Sequence, residues 1–153
     1  MNKYEFQYCQ KIIILSKDKT KVLLCKRKGE ADYDEVFSFA GGKMENTDVS
    51  IINGLKREKD EELGKDFILK LFQTFSFNML FRKKDGNVMI LPHYLAFHEE
   101  GNINLNINEY SEYEWVEILD LEKFEPKIGN ITETLNEVLR LEKISTDKDF
   151  VFI

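Results

Sequence analysis

The run Gly41-Gly42-Lys43-Met44-Glu45, continued by Arg57-Glu58-Lys59-Asp60-Glu61-Glu62-Leu63-Gly64, decides how this chain reads. Residues 50–63 are expected to be helical. On that helix Glu58, Glu61 and Glu62 stand at i, i+3 and i+4, so their carboxylates share one face within a turn. Three like charges this close repel one another, which suits a surface built to hold a cation. Oxygen ligands alone favour a hard ion, Mg²⁺ or Mn²⁺, of the kind that binds carboxylates and substrate phosphates together. A solvated acidic face shows the same spacing. The surroundings favour the cation: a double glycine follows an aromatic run, Arg57 precedes the first Glu, and Gly64 stands where a C-cap glycine belongs.

Outward from this centre, Val36-Phe37-Ser38-Phe39 alternates as a short strand leading into Ala40-Gly41-Gly42, where two glycines allow a tight turn and close approach to a ligand. Residues 7–15 and 21–27 read as strands joined by the turn residues Ser16-Lys17-Asp18-Lys19-Thr20. Lys26-Arg27-Lys28 ends the second strand, either as a solvated end or with Arg27 or Lys28 meeting phosphates. Residues 29–35 form a polar loop. In the helix, Ile52, Leu55, Lys59 and Leu63 make the buried stripe, with Lys59 burying its methylenes and either lifting its ammonium out or reaching the carboxylate cluster. Gly54 inside it either lets a second backbone approach or absorbs an extra residue ahead of Arg57, and Arg57 stands four residues before Glu61, close enough to fasten it.

Residues 67–81 and 88–98 read as a long antiparallel pair turning at Asp85-Gly86. Phe75, Phe77, Phe81 and Tyr94 are spaced for sheet faces, mostly as core, with one or two as stacking surfaces for a base. His93 and His98 read as ordinary strand residues. A polar loop over 99–108 leads to the acidic run Glu109-Tyr110-Ser111-Glu112-Tyr113-Glu114 and a Trp115 strand, and Asp120-Leu121-Glu122 opens a short helix. Ile131, Leu135, Val138, Leu139 and Leu141 mark an amphipathic helix over 131–141. Phe150-Val151-Phe152-Ile153 is either an edge strand or a contact with a second copy in a homodimer.

With 153 residues, 42% of them hydrophobic and 33% charged, the chain is expected to form one domain, residues 1–153. A net charge of -6 disfavours nonspecific nucleic-acid binding and leaves phosphate ligands dependent on a metal and local bases. Cys9 and Cys25 lack metal-ligand spacing and read as reduced packing residues. Residues 1–11 lack the apolar core of a signal peptide, and no run has the length of a membrane span, so the cytoplasm is the expected location.

Gly42, five residues, Asp48, then Arg57-Glu58-x-x-Glu61-Glu62-x-Gly64 resembles the signature box of the Nudix hydrolases, and the likeness extends over the whole chain. That box reads Gly, five residues, Glu, seven residues, Arg-Glu-bulky-x-Glu-Glu-x-Gly-bulky. Here Asp48 replaces the first Glu, eight residues separate it from Arg57, and Lys59 and Lys65 replace bulky residues. Phe37 and Ala40 stand where the family usually has Trp and Pro.

The resemblance implies an α/β protein, an α/β/α sandwich with a mixed sheet between helices. It implies metal-dependent hydrolysis of the diphosphate linkage in a nucleoside diphosphate joined to another moiety. By the same resemblance Mg²⁺ is held by Glu58, Glu61, Glu62 and the Gly41 carbonyl, and Arg27 and Lys43 meet the substrate. Arg57 and Glu61 belong to the catalytic set, and Glu58 or Glu109 is the base, with Glu112 the second choice to Glu109. Two other readings stay open: a nucleotide-binding module with weak or no hydrolysis, and a hydrolase of RNA 5′ ends.

Overall fold

The computed structural model describes residues 5–153; residues 1–4, the start of the stretch without a signal-peptide core, lie outside them. Its centre is β1 (Gln7–Leu15), whose residues Ile12, Ile13, Ile14 and Leu15 are all buried. A strand buries consecutive side chains only when both faces of its sheet are covered. Ile12 and Ile14 pack with Leu55 and Leu63 of α1 (Ile51–Leu63). Ile13 and Leu15 pack with Ile131, Leu135 and Val138 of α2 (Ile131–Glu142) on the opposite face. At about 1.5–3 kcal/mol for each fully buried aliphatic side chain, these four alternating residues anchor both helices to one strand.

The sheet is mixed. β1 runs parallel to β7 (Val88–Glu100), from Gln7 opposite Met89 to Leu15 opposite Phe97. The other named strands pair antiparallel. β2 (Lys21–Arg27) turns back beside β1 and pairs along its length with β8 (Tyr110–Glu117). β3 (Phe37–Ser38) meets the end of β2, and β4 (Ala40–Lys43) pairs with the first half of β1. β5 (Ile68–Phe72) and β6 (Phe77–Arg82) share the far edge of β7, and β9 (Phe150–Phe152) closes on β5. The α/β/α sandwich with a mixed sheet is therefore the fold. The last residues form an edge strand, and Ile153 is buried.

Three expectations need correction. The strand over 67–81 is two strands, because Gln73 N and Thr74 Oγ1 turn away to Asp149 instead of continuing the ladder. The short helix near residue 120 is a single 3₁₀ turn, Ile118–Asp120, ending where Leu121 turns into the core. Strand β7 also runs on through Glu100, so the following loop starts at Gly101. Both cysteines are buried and free. Among the described residues, no helix is long and apolar enough to cross a membrane.

Candidate active site

Ser50 starts α1 from an extended conformation, its hydroxyl accepting the Asn53 amide at 3.1 Å, and Gly64 ends it at the C-cap. Arg57 is then the hub of the loop before the helix. Its Nε and Nη2 meet the two oxygens of Asp48 at 2.8 and 2.9 Å, a bidentate pair. Nη2 also donates to the Lys43 carbonyl at 3.1 Å, while Nη1 donates to Glu58 at 2.9 Å and to Glu61 at 3.2 Å. Hydrogen bonding from Arg57 holds the Asp48 carboxyl at a pKa of about 2, so the shorter acid keeps its charge and its partner. The Asp48 side chain and Gln10 Oε1 crowd Gly54, where a Cβ would lie 2.7 Å from Gln10 and 3.1 Å from Asp48. Side chains, rather than a second backbone, occupy the room that this glycine leaves.

The paired glycines are required by contact. A Cβ on Gly41 would lie 2.0 Å from the Gln10 carbonyl oxygen, at a φ of +137°. One on Gly42 would lie 2.2 Å from Glu58 Oε2, so the bend and the helix carboxylate are packed directly together. Glu62 is turned inward, its Oε2 accepting from the Gly41 amide at 2.8 Å and from the Tyr110 hydroxyl at 2.7 Å. Burial pushes its pKa up to about 8, with the Arg27 charge opposing. Glu58 is raised as well, by desolvation first, against the pull of Arg57.

The loop after β7 delivers Glu109. Asn104 N caps the Leu63 carbonyl at 2.8 Å and Asn106 N caps that of Glu62 at 2.9 Å, satisfying carbonyls that the helix end leaves free. Glu109 then lines the same cleft as Glu58 and Glu62, and its neighbourhood helps to raise both of their pKa values. Glu112 points elsewhere, paired with Lys26 at 2.8 Å, so Glu109 alone of the two reaches the helix carboxylates. Lys59 is wholly buried, with its ammonium on Asp60 instead of lifted into solvent or toward Glu58.

Glu58, Glu61, Glu62 and Glu109 line one cleft of about 910 Å³, together with Arg27, Lys43 and Lys11. Its far floor is apolar, formed by Met79, Phe81, Met89 and Leu91, with Tyr33 from the 29–35 loop 5.8 Å from the Phe81 ring. Of the aromatics singled out in the sequence, only Phe81 reaches the cleft. The 99–108 loop braces α1 and lines none of it. Arg27 lies over Tyr110, 3.6 Å from Glu62, and donates to the Gly41 carbonyl, whereas Lys28 turns its amide to the Glu109 carbonyl. Lys11 escapes the sequence reading because it sits inside an apolar strand run. Its parity with Ile13, on a covered face, is the signal that marks it.

Among the described residues, no three Asp, Glu, His or Cys side chains converge closely enough to hold a metal ion as they stand. Glu62 is engaged with Gly41 and Tyr110, and Glu61 leans outward on Arg57. The donor chemistry nonetheless fits a hard divalent ion. The donors are all oxygens, and two of the carboxylates are buried without enough positive charge to restore ordinary pKa values.

A mixed sheet between two helices thus carries carboxylates and bases into one cleft. The chain belongs to the Nudix family, whose NUDIX domain model matches residues 10–135. It is a hydrolase acting on diphosphate linkages. The fold is similar to that of the MutT protein from Methanosarcina mazei Go1, at a TM-score of 0.72 and 19% identity over 94% of this chain and 99% of that one. A NUDIX family hydrolase from Clostridium perfringens gives 0.72 and 19% over 93% and 99%, and a C. elegans Ap4A hydrolase gives 0.71 and 15% over 90% and 98%. No curated protein sequence matches.

Proposed function

We propose that the chain hydrolyses the diphosphate linkage of a nucleoside diphosphate joined to another moiety, with Mg²⁺ as cofactor and Mn²⁺ as a substitute. The observation that carries this is the single cleft in which Glu58, Glu61, Glu62 and Glu109 face Arg27 and Lys43 beside an apolar floor. Glu58, Glu61, Glu62 and the Gly41 carbonyl would hold the ion, Arg27 leaving that carbonyl to do so. When bound, Mg²⁺ neutralises diphosphate oxygens and acts as a Lewis acid toward the attacking water.

The chain's own groups supply the rest. Arg57 keeps Glu58 and Glu61 in place through its Nη1, a positioning role. Glu58 or Glu109 takes the proton from water as its oxygen bonds to phosphorus, and the bond from that phosphorus to the bridging oxygen breaks, so the other phosphate leaves with the bridging oxygen. Arg27 and Lys43 draw the diphosphate charge into the cleft, and the floor around Phe81 accepts the planar base. The protein acts on a small molecule in the cytoplasm.

The test is a Mg²⁺-dependent screen for phosphate or monophosphate release across nucleoside diphosphate derivatives, run alongside Glu61→Gln and Glu62→Gln. Both variants should remain folded and lose orders of magnitude in turnover. Near-native turnover by both would overturn the metal assignment.

A further inference from the structure

Lys11 is a charged side chain of the cleft with no part in the reaction as described. Lys11 is half-buried in the first half of β1 and lines the cleft. Its ammonium makes no hydrogen bond or ion pair among the described residues. Glu58 and Glu62 lie within charge range but not in contact, and Arg27 adds a like charge nearby. A partly desolvated ammonium without a partner is unfavourable until an oxygen with lone pairs and negative charge arrives. Arg27, by contrast, is already committed to Gly41, Glu62 and Glu30.

The strand order says which part of a ligand meets Lys11. Across this face the strands run β6, β7, β1, β4, about 4.8 Å apart. Met79 and Phe81 lie on β6, Met89 and Leu91 on β7, and Lys11 on β1, while β4 sets Gly41 opposite Lys11 and turns Gly42 to the α1 side, where Glu58 packs. Lys11 thus stands one strand from the apolar floor and beside the glycine bend, past whose edge Glu58 and Glu62 reach the same cleft. A planar base on β6 and β7 places its sugar and first phosphate over β1, and the anhydride beyond reaches Glu58.

We propose that Lys11 is a substrate-binding residue whose ammonium grips the phosphate adjoining the nucleoside and so sets the direction in which the substrate lies across the sheet. This rests on the diphosphate reading above. It differs from a role as counter-charge for Glu58 and Glu62, which would make Lys11 important for stability but indifferent to the ligand's phosphate.

The experiment is calorimetry in EDTA with the four common nucleosides and their 5′-monophosphates, on the intact chain and on Lys11→Met. The wild type should bind at least one monophosphate more tightly than its nucleoside. Lys11→Met should weaken that monophosphate about ten- to a hundredfold, the worth of a charge-assisted hydrogen bond, and leave the nucleoside within about twofold. Equal loss for both ligands, no loss for either, or a wild type indifferent to the phosphate overturns the proposal. Lys11→Gln serves if the Met variant does not fold, and failure of both to fold marks a structural lysine and overturns it too. A chain that binds phosphate through Lys11 yet hydrolyses no substrate would sink the hydrolytic reading alone.

Discussion

The Gly41 amide donates to Glu62 Oε2 at 2.8 Å, tying the helix carboxylate to the glycine bend by a hydrogen bond that spans 21 positions of sequence. The Tyr110 hydroxyl donates to the same oxygen at 2.7 Å. Tyr110→Phe removes one donor and leaves a buried carboxylate short of a partner, so stability should fall by about 1–3 kcal/mol. Urea denaturation at neutral pH checks this; an unchanged midpoint would show that the phenol is dispensable to Glu62.

The two glycines of the bend should respond differently to alanine. At Gly41 the new Cβ meets the Gln10 backbone at a positive φ, so β1 and β4 must separate, at a cost of roughly 2 kcal/mol or more. At Gly42 it meets the end of the Glu58 side chain, which can swing aside. Gly42→Ala should therefore keep most of its stability and lose most of its turnover. Paired melting curves and Mg²⁺-dependent rates separate the two; equal thermal losses would contradict the contact argument.

His93 supplies a pH dependence. Its ring lies edge-on to Phe39, and burial, reinforced by the Lys11 charge, lowers its pKa from 6.5 to about 4. Between those values the unfolded chain binds a proton that the folded chain refuses, so stability present above pH 6.5 is lost as pH falls toward 4, by about 2–3 kcal/mol. Denaturation series at several pH values on wild type and His93→Gln test it. The variant should show a shallower fall over that window; parallel curves would exclude His93 as the source.

Lys59→Met restores an apolar residue at a wholly buried position. Lys56 stays on Asp60 Oδ2 at 2.7 Å, but Asp60 Oδ1 is buried and loses its cation. Removing one member of the pair should therefore lower stability, by about 1–3 kcal/mol with Lys56 still compensating. Turnover should be unaffected, since the ammonium points away from the cleft carboxylates. A loss above about 3 kcal/mol in chemical denaturation would mean that the ion pair is structural.

The box and its helix were legible because they depend on local pattern, spacing on one helix and paired glycines, and the sandwich followed from the resemblance that the box carries. What stayed hidden depends on distant partners. The break between β5 and β6 comes from Asp149, some 75 positions on, and nothing in Gln73-Thr74 announces it. Glu109 ranked ahead of Glu112 by resemblance alone, and the strand pairing that sets Glu112 against Lys26 was not readable from the sequence. Lys11 lay inside a run whose neighbours are core, and its value appears only once β4 and β7 flank it.

The stretch between Gly101 and Glu109 is length-locked. Its middle is clamped to the last carbonyls of α1, through Asn104 and Asn106, and its far end presents Glu109 to Glu62. An inserted residue there has nowhere to bulge without uncapping the helix or pulling Glu109 off station. Gene libraries that vary loop size should therefore tolerate changes in the 29–35 segment and reject them here.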